Sequence, residues 1–130
     1  MDLLPLDASD DDLIAFADRW AALMESEDYG AAYVFTEHDA HMKWTAELLG
    51  EVVKAYGDAD PKQKVTVDGK PTDISQRKNV NRWERNAYNA IGEIWYDLNI
   101  DGFASDLTAT FTIIQRADGL AIQLNDIHVM

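Results

Sequence analysis

Phe103-Ala104-Ser105-Asp106-Leu107-Thr108-Ala109-Thr110-Phe111-Thr112-Ile113 is the stretch whose reading decides the fold. Every second residue from Phe103 (Ser105, Leu107, Ala109, Phe111, Ile113) is apolar or small, and the interleaved Asp106, Thr108, Thr110 and Thr112 are polar. A period of two marks a strand with one buried and one wetter face. Asn99-Ile100-Asp101-Gly102 before it and Ala117-Asp118-Gly119 after it carry Asp-Gly hairpin chemistry, in which Gly takes φ > 0 without steric cost. Three strands, about 92–99, 103–116 and 120–129, therefore form an antiparallel meander.

Working outward, the final strand contains a conflict. Leu120, Ile122 and Leu124 are even-numbered, whereas Ile127 and Val129 are odd. An alternating strand buries both sets on one face only with an extra residue, so a β-bulge is expected near Asn125-Asp126. With the bulge, Ile127 and Val129 return to the core and His128 faces outward. Without it, Asp126 and His128 project together toward the helices.

Upstream, apolar residues recur at helical spacing. Leu13, Phe16, Ala17, Trp20 and Met24 define a first helix from about Asp10 to Glu25, opened by the capping-box spacing of Ser9 and Asp12. Tyr29, Ala32, Tyr33 and Thr36 mark a short second helix. Met42, Thr45, Leu49, Val52 and Tyr56 predict a third from about Ala40 to Tyr56, closed by Gly57. Val65-Thr66-Val67 reads as a short strand, with a return strand within 74–82 and Trp83 pinning the arm. The expected organisation is one α+β domain over residues 1–130, three N-terminal helices (about 9–57) and an arm (58–88) packed with a bent antiparallel sheet (89–130).

Composition bounds the rest. With 47% hydrophobic and 27% charged residues the chain is globular, and its length allows roughly two-thirds of the unfolded surface to be buried. Neither a membrane-length apolar run nor a signal peptide is seen, and there is no cysteine, so a cytoplasmic protein is expected. The net charge of −13 argues against nucleic-acid binding. Residues 62–85 nevertheless hold seven of the eleven basic residues against Asp68, Asp73 and Glu84. They form either a solvated basic arm or an anion site into which arginines turn.

Three helices before a curved antiparallel sheet resemble the nuclear transport factor 2-like (cystatin-like α+β cone) superfamily. Phe16 and Trp20 ahead of Asp28-Tyr29-Gly30-Ala31-Ala32-Tyr33 are similar to its first two helices. Ser105-Asp106-Leu107-Thr108 through Asp126-Ile127-His128-Val129 also resembles an uncharacterised bacterial family of small proteins, which implies no activity. The superfamily resemblance implies a pocket between helices and concave sheet. It also implies sheet-to-sheet pairing, and members that are isomerases, dehydratases or non-catalytic binding and dimerisation modules.

In such a pocket, Asp126 and His128 are the catalytic candidates, with His taking a proton while Asp orients it. Arg82 and Arg85 could hold an anionic group, and Tyr33, Tyr56 or Tyr96 could donate to an oxyanion. His38 and His41 are the only metal-like pair, in a junction where such residues also cap helices. No cofactor is expected, and neither a phosphate-cradling Gly-rich loop nor a Gly-x-Ser-x-Gly elbow occurs. Trp95, opposite Ile94 and Tyr96 and beside Thr108 and Thr110, would be an exposed aromatic on the sheet's outer face and points to a homodimer. The leading expectation is a small-ligand-binding module, for an apolar or anionic ligand, or an association module. The alternatives are an isomerase or lyase using the Asp/His pair, and an acidic immunity-type protein that neutralises a basic partner.

Overall fold

In the computed structural model, residues 3–73 and 76–129 are described. Three helices, α1 (Asp10–Glu25), α2 (Tyr29–Phe35) and α3 (Ala46–Ala55), pack on a six-stranded sheet. Its strands are β1 (Glu37–His38), β2 (Val65–Thr66), β3 (Lys78–Arg82), β4 (Ala90–Ile100), β5 (Phe103–Arg116) and β6 (Gly119–Val129). The order is β1-β6-β5-β4-β2, with β3 also paired to β4. All ladders between these strands are antiparallel except β1 with β6. The class is α+β with a strongly curled mixed sheet, a half-barrel around the helices.

Local chemistry sets the helix limits. The Ser9 hydroxyl accepts from the Asp12 N–H and the Asp12 carboxylate accepts from the Ser9 N–H, the reciprocal cap that spacing predicts. Asp28 caps α2 by accepting from the Ala31 N–H. The third helix starts six residues later than its apolar stripe suggests. Thr45 is extended (φ −137°, ψ 164°) and its hydroxyl accepts from the Leu48 N–H, while Lys43 upstream sits at φ 52°. Met42 is consequently exposed rather than on a buried stripe. Gly57 takes φ 63°, the left-handed cap expected of it.

The hollow of the sheet is filled with side chains. Trp20 meets Phe111 edge-to-face at 5.2 Å, and Leu13, Met24, Leu49, Ile94, Ile122 and Leu124 are fully buried around them. Gly50 lets α3 approach α2, since a Cβ there would lie 3.0 Å from the Tyr29 ring. The pocket implied between helices and sheet is thus replaced by packed core.

The predicted bulge is present. Thr110 faces Asp126 and Phe111 faces Leu124, leaving Asn125 as the additional residue. Ile127 turns into the core, as parity demands, but Val129 stays 56% exposed at the strand's end. A second irregularity, where Asp97 pairs Thr108 but Asn99 pairs Ala104, puts two additional residues into β5 and so keeps its parity; Phe103 is nevertheless 52% exposed instead of buried, at the strand's first position beside the Asp101-Gly102 turn. Gly102 has the expected positive φ of 82°. Gly119 does not, and its lack of a side chain serves close approach: a Cβ would lie 2.6 Å from the Leu4 carbonyl, where Leu4 and Leu120 exchange hydrogen bonds.

The return strand of the arm begins at Lys78; Ile74 and Ser75, where it was expected to start, lie outside the described residues. Trp83 remains 42% exposed but anchors its own loop through Nε1 to the Ala90 carbonyl. No helix among the described residues is long and apolar enough to cross a membrane.

Deleting Asn125 should turn Ile127 outward and His128 inward and lower unfolding free energy by about 3 kcal/mol in urea denaturation. Phe111→Ala should cost about 3–5 kcal/mol. A deletion variant as stable as the parent would show that the bulge does not set side-chain parity.

Candidate functional site

Two contacts fix which face is which. The Tyr96 hydroxyl donates to Asp18 on α1 and Phe111 meets Trp20, so these residues face the helices. Their strand neighbours Trp95, Asp97, Thr108 and Thr110 therefore lie on the outer face. Register aligns this face into rows across four strands. Asn79, Trp95, Thr110 and Asp126 form one, and Asn81, Glu93, Thr112 and Gln123 another. Between Arg77 and His128 runs a third, through Asp97 and Thr108.

Asp97 is the unexpected centre of this face, being only 4% exposed. A buried carboxylate requires donors, and three converge on it: Trp95 Nε1 at 3.0 Å, the Thr108 hydroxyl at 2.7 Å and the Arg77 backbone N–H at 2.7 Å. Arg77 lays its guanidinium over the Trp95 ring at 4.7 Å, so Trp95 is half-buried rather than openly exposed. A sequence signal existed, since Trp95 and Asp97 two apart share a strand face; the closing donors from Arg77 and Thr108 depend on strand pairing.

With the bulge in place, Asp126 and His128 stand on the outer face, away from the helices. His128 Nδ1 and Asp126 Oδ2 are 3.0 Å apart, both side chains partly exposed. Nδ1 nevertheless has no aligned hydrogen-bond partner, so the contact lacks the oriented bond of an acid–base dyad. The Trp95 ring stands edge-on to His128 at 6.4 Å.

The other candidates are scattered. Arg82 binds Asp10 at 2.8 Å and the Ala8 carbonyl at 3.0 Å, tying β3 to the start of α1. Tyr56 donates to Asp106. Tyr33 stacks on His38 at 4.0 Å. His38 Nε2 lies 2.6 Å from the Tyr33 carbonyl, which can only accept, so that nitrogen carries its proton and is not a metal donor. His41 is exposed, its backbone N–H bound by Asp39. Among the described residues no three His, Cys, Asp or Glu side chains gather to hold a metal ion. Arg85 lies in a surface groove at the far end of the sheet.

Charge is uneven along the chain. In sequence, residues 1–60, which include the three helices and β1, hold fifteen of the 24 acidic and three of the eleven basic residues, a net −12; residues 61–130 carry only −1.

A helix-backed curled sheet with a filled hollow and a polar, aromatic outer face defines an α+β domain whose accessible chemistry is on its back. Residues 21–130 match a family described as a domain of unknown function, DUF7668, and the chain belongs to it. No curated protein and no solved structure matches.

Tyr96 supplies a pH test of the buried layer. Burial first, and the Asp18 carboxylate second, hold its phenol well above the ordinary value of about 10. The native state keeps this proton where the unfolded chain loses it. The contribution to stability is full below about pH 10 and lost progressively as pH rises from there toward the native value. Tyr96→Phe should flatten the fall of Tm between about pH 9 and 11; an unchanged slope would place the alkaline sensitivity elsewhere, with Tyr29 and Tyr56 next in line because burial raises both.

Proposed function

We propose that this chain is a non-catalytic association module that pairs with a second copy of itself through the outer face of its sheet. The observation that carries this reading is the Asn79–Trp95–Thr110–Asp126 row. A half-buried Trp gripped by an Arg, on a face whose neighbouring threonines are already dry, has the aromatic and arginine character of an interface core. Sheet-to-sheet pairing is also what the resemblance to nuclear transport factor 2-like proteins implies.

The register makes the pairing self-complementary. A twofold axis parallel to the strands, above the β4–β5 seam, exchanges β3 with β6 and leaves position along the strands unchanged. Trp95 of each copy then covers Thr110 of the other. Asn79 covers Asp126, and Arg77 comes over the Asp126–His128 pair. Glu93 meets Thr112, so no carboxylate faces another across the seam. Sheets stacked in this way lie about 10 Å apart, a spacing that a Trp side chain fills.

Sedimentation should give a dimer for the wild type and a monomer for Trp95→Ala. Arg77→Glu and Asp126→Arg should each weaken the dimer, and the double variant should restore it in part. A wild type that is monomeric at high concentration, or a dimer indifferent to Trp95→Ala, overturns the proposal.

A further inference from the structure

Beyond the pairing face, at the end of the sheet where β4 begins and β5 ends, lies a groove of about 680 Å³. Its lining includes Arg85, Tyr88, Asn89, Gln115 and Arg116, with Leu6 and Ile114 as apolar floor. The lining contains two arginines and no acidic residue, in a chain with 24 acidic and eleven basic residues. A second groove of about 540 Å³ continues past Tyr88, lined in part by His41, Asn86, Thr112 and Gln123, with Asp39 as its one carboxylate. Both volumes are in the range of small-molecule sites.

The loop that builds the rim is held rigidly. The Asn86 side-chain oxygen accepts from the Tyr88 and Ala90 N–H groups at 2.8 and 3.1 Å, and its backbone bonds Ala90 and Asn89. Asn89 sits at φ 63°, and its carbonyl accepts from the Gln115 N–H at 2.8 Å. This scaffold displays the Tyr88 ring 83% exposed, the largest exposure among the exposed large apolar side chains of the described chain. An exposed aromatic on a hydrogen-bonded loop is a platform for a flat group. Arg116 is held in place by Glu37 through two hydrogen bonds of 2.6 and 2.5 Å. Arg85, on the same loop as Tyr88, has no ion pair among the described residues.

We infer that this groove binds a small anion bearing a planar ring, stacked on Tyr88 with its carboxylate or phosphate on Arg85 and its polar edge toward Asn89 and Gln115. Arg85 supplies planar, two-pronged recognition of either oxyanion, and Tyr88 favours a ring over an aliphatic chain. Free inorganic anions lack the second contact and bind more weakly. The site of this inference is the Arg85–Tyr88 groove, whose lining contains no residue of the paired rows, although Thr112 and Gln123 of the continuing groove belong to them.

The test follows backbone amide shifts of full-length protein titrated with salicylate and with adenosine monophosphate, which separates an aromatic carboxylate from a nucleotide phosphate. Adenosine and inorganic phosphate supply the ring and the anion alone. The expected result is saturable movement of residues 86–89 and 115–117 with at least one ring-bearing anion, weakened about tenfold or more by Arg85→Ala and by Tyr88→Ala. Both side chains are exposed, so the variants should keep the wild-type melting temperature and sedimentation behaviour. No saturable shift at millimolar concentrations of either ring-bearing anion overturns the inference. So does equal binding of inorganic phosphate, or affinity unchanged in both variants. A loss of pairing with ligand binding intact would count against the proposed function and leave the groove standing.

Discussion

Side-chain parity in the last strand is the constraint on which the rest of the structure depends. Leu120, Ile122 and Leu124 reach the core at even positions, and Ile127 at an odd one, because Asn125 occupies the bulge. Its side chain bonds Thr112 on β5 while its carbonyl accepts from Trp44 Nε1 at 3.0 Å, so the helix junction and the neighbouring strand both hold the bulge in place. This one residue decides that Asp126 and His128 look away from the helices. It thereby separates a dry, apolar interior from every group able to exchange protons on that strand.

The two sides of the sheet solve different problems. Inside, Trp20, Phe111 and the surrounding aliphatics hold the helices by area alone, and the Tyr96–Asp18 bond gives the phenol its partner at the layer boundary. Outside, Asp97 gathers an indole, a hydroxyl and a backbone donor, so that β3, β4 and β5 are cross-linked by polar contacts where no helix covers them. A carboxylate so fully engaged is a brace rather than a reagent. The surface it stiffens is the convex back of the curled sheet.

Much of this architecture is legible in the sequence because the signals are local and periodic. The period of two in β5, the capping box at Ser9 and the parity break in β6 each report a physical necessity within a few residues. The start of α3 is misread because Met42 fits an apolar stripe while Thr45, a better cap, lies inside it. Phe103 fits the apolar alternation of β5 but is its first residue, beside the turn, where the helices no longer cover the strand. The two-residue β1 carries no periodicity at all. Asp126 and His128, two apart on one strand, share a face, but it is the outer one, and the hollow implied for a pocket is occupied by core. The Trp95–Asp97 contact is local, but the donors from Arg77 and Thr108 that complete the Asp97 site come from other strands, and the alternation of β4 does not announce them.

The first turn of α1 alone carries Asp10, Asp11 and Asp12, and the concentration of acidic residues in the part of the chain that forms the helices makes the helical side the more negative one. Two such molecules diffusing toward each other repel helix to helix and least oppose an approach sheet-first, so the field orients an encounter before any side chains touch. That bias acts over about 8–10 Å at physiological ionic strength and fades as salt is added. The same polarity turns the sheet, and the cationic groove at its end, toward any anion that the helical side holds off.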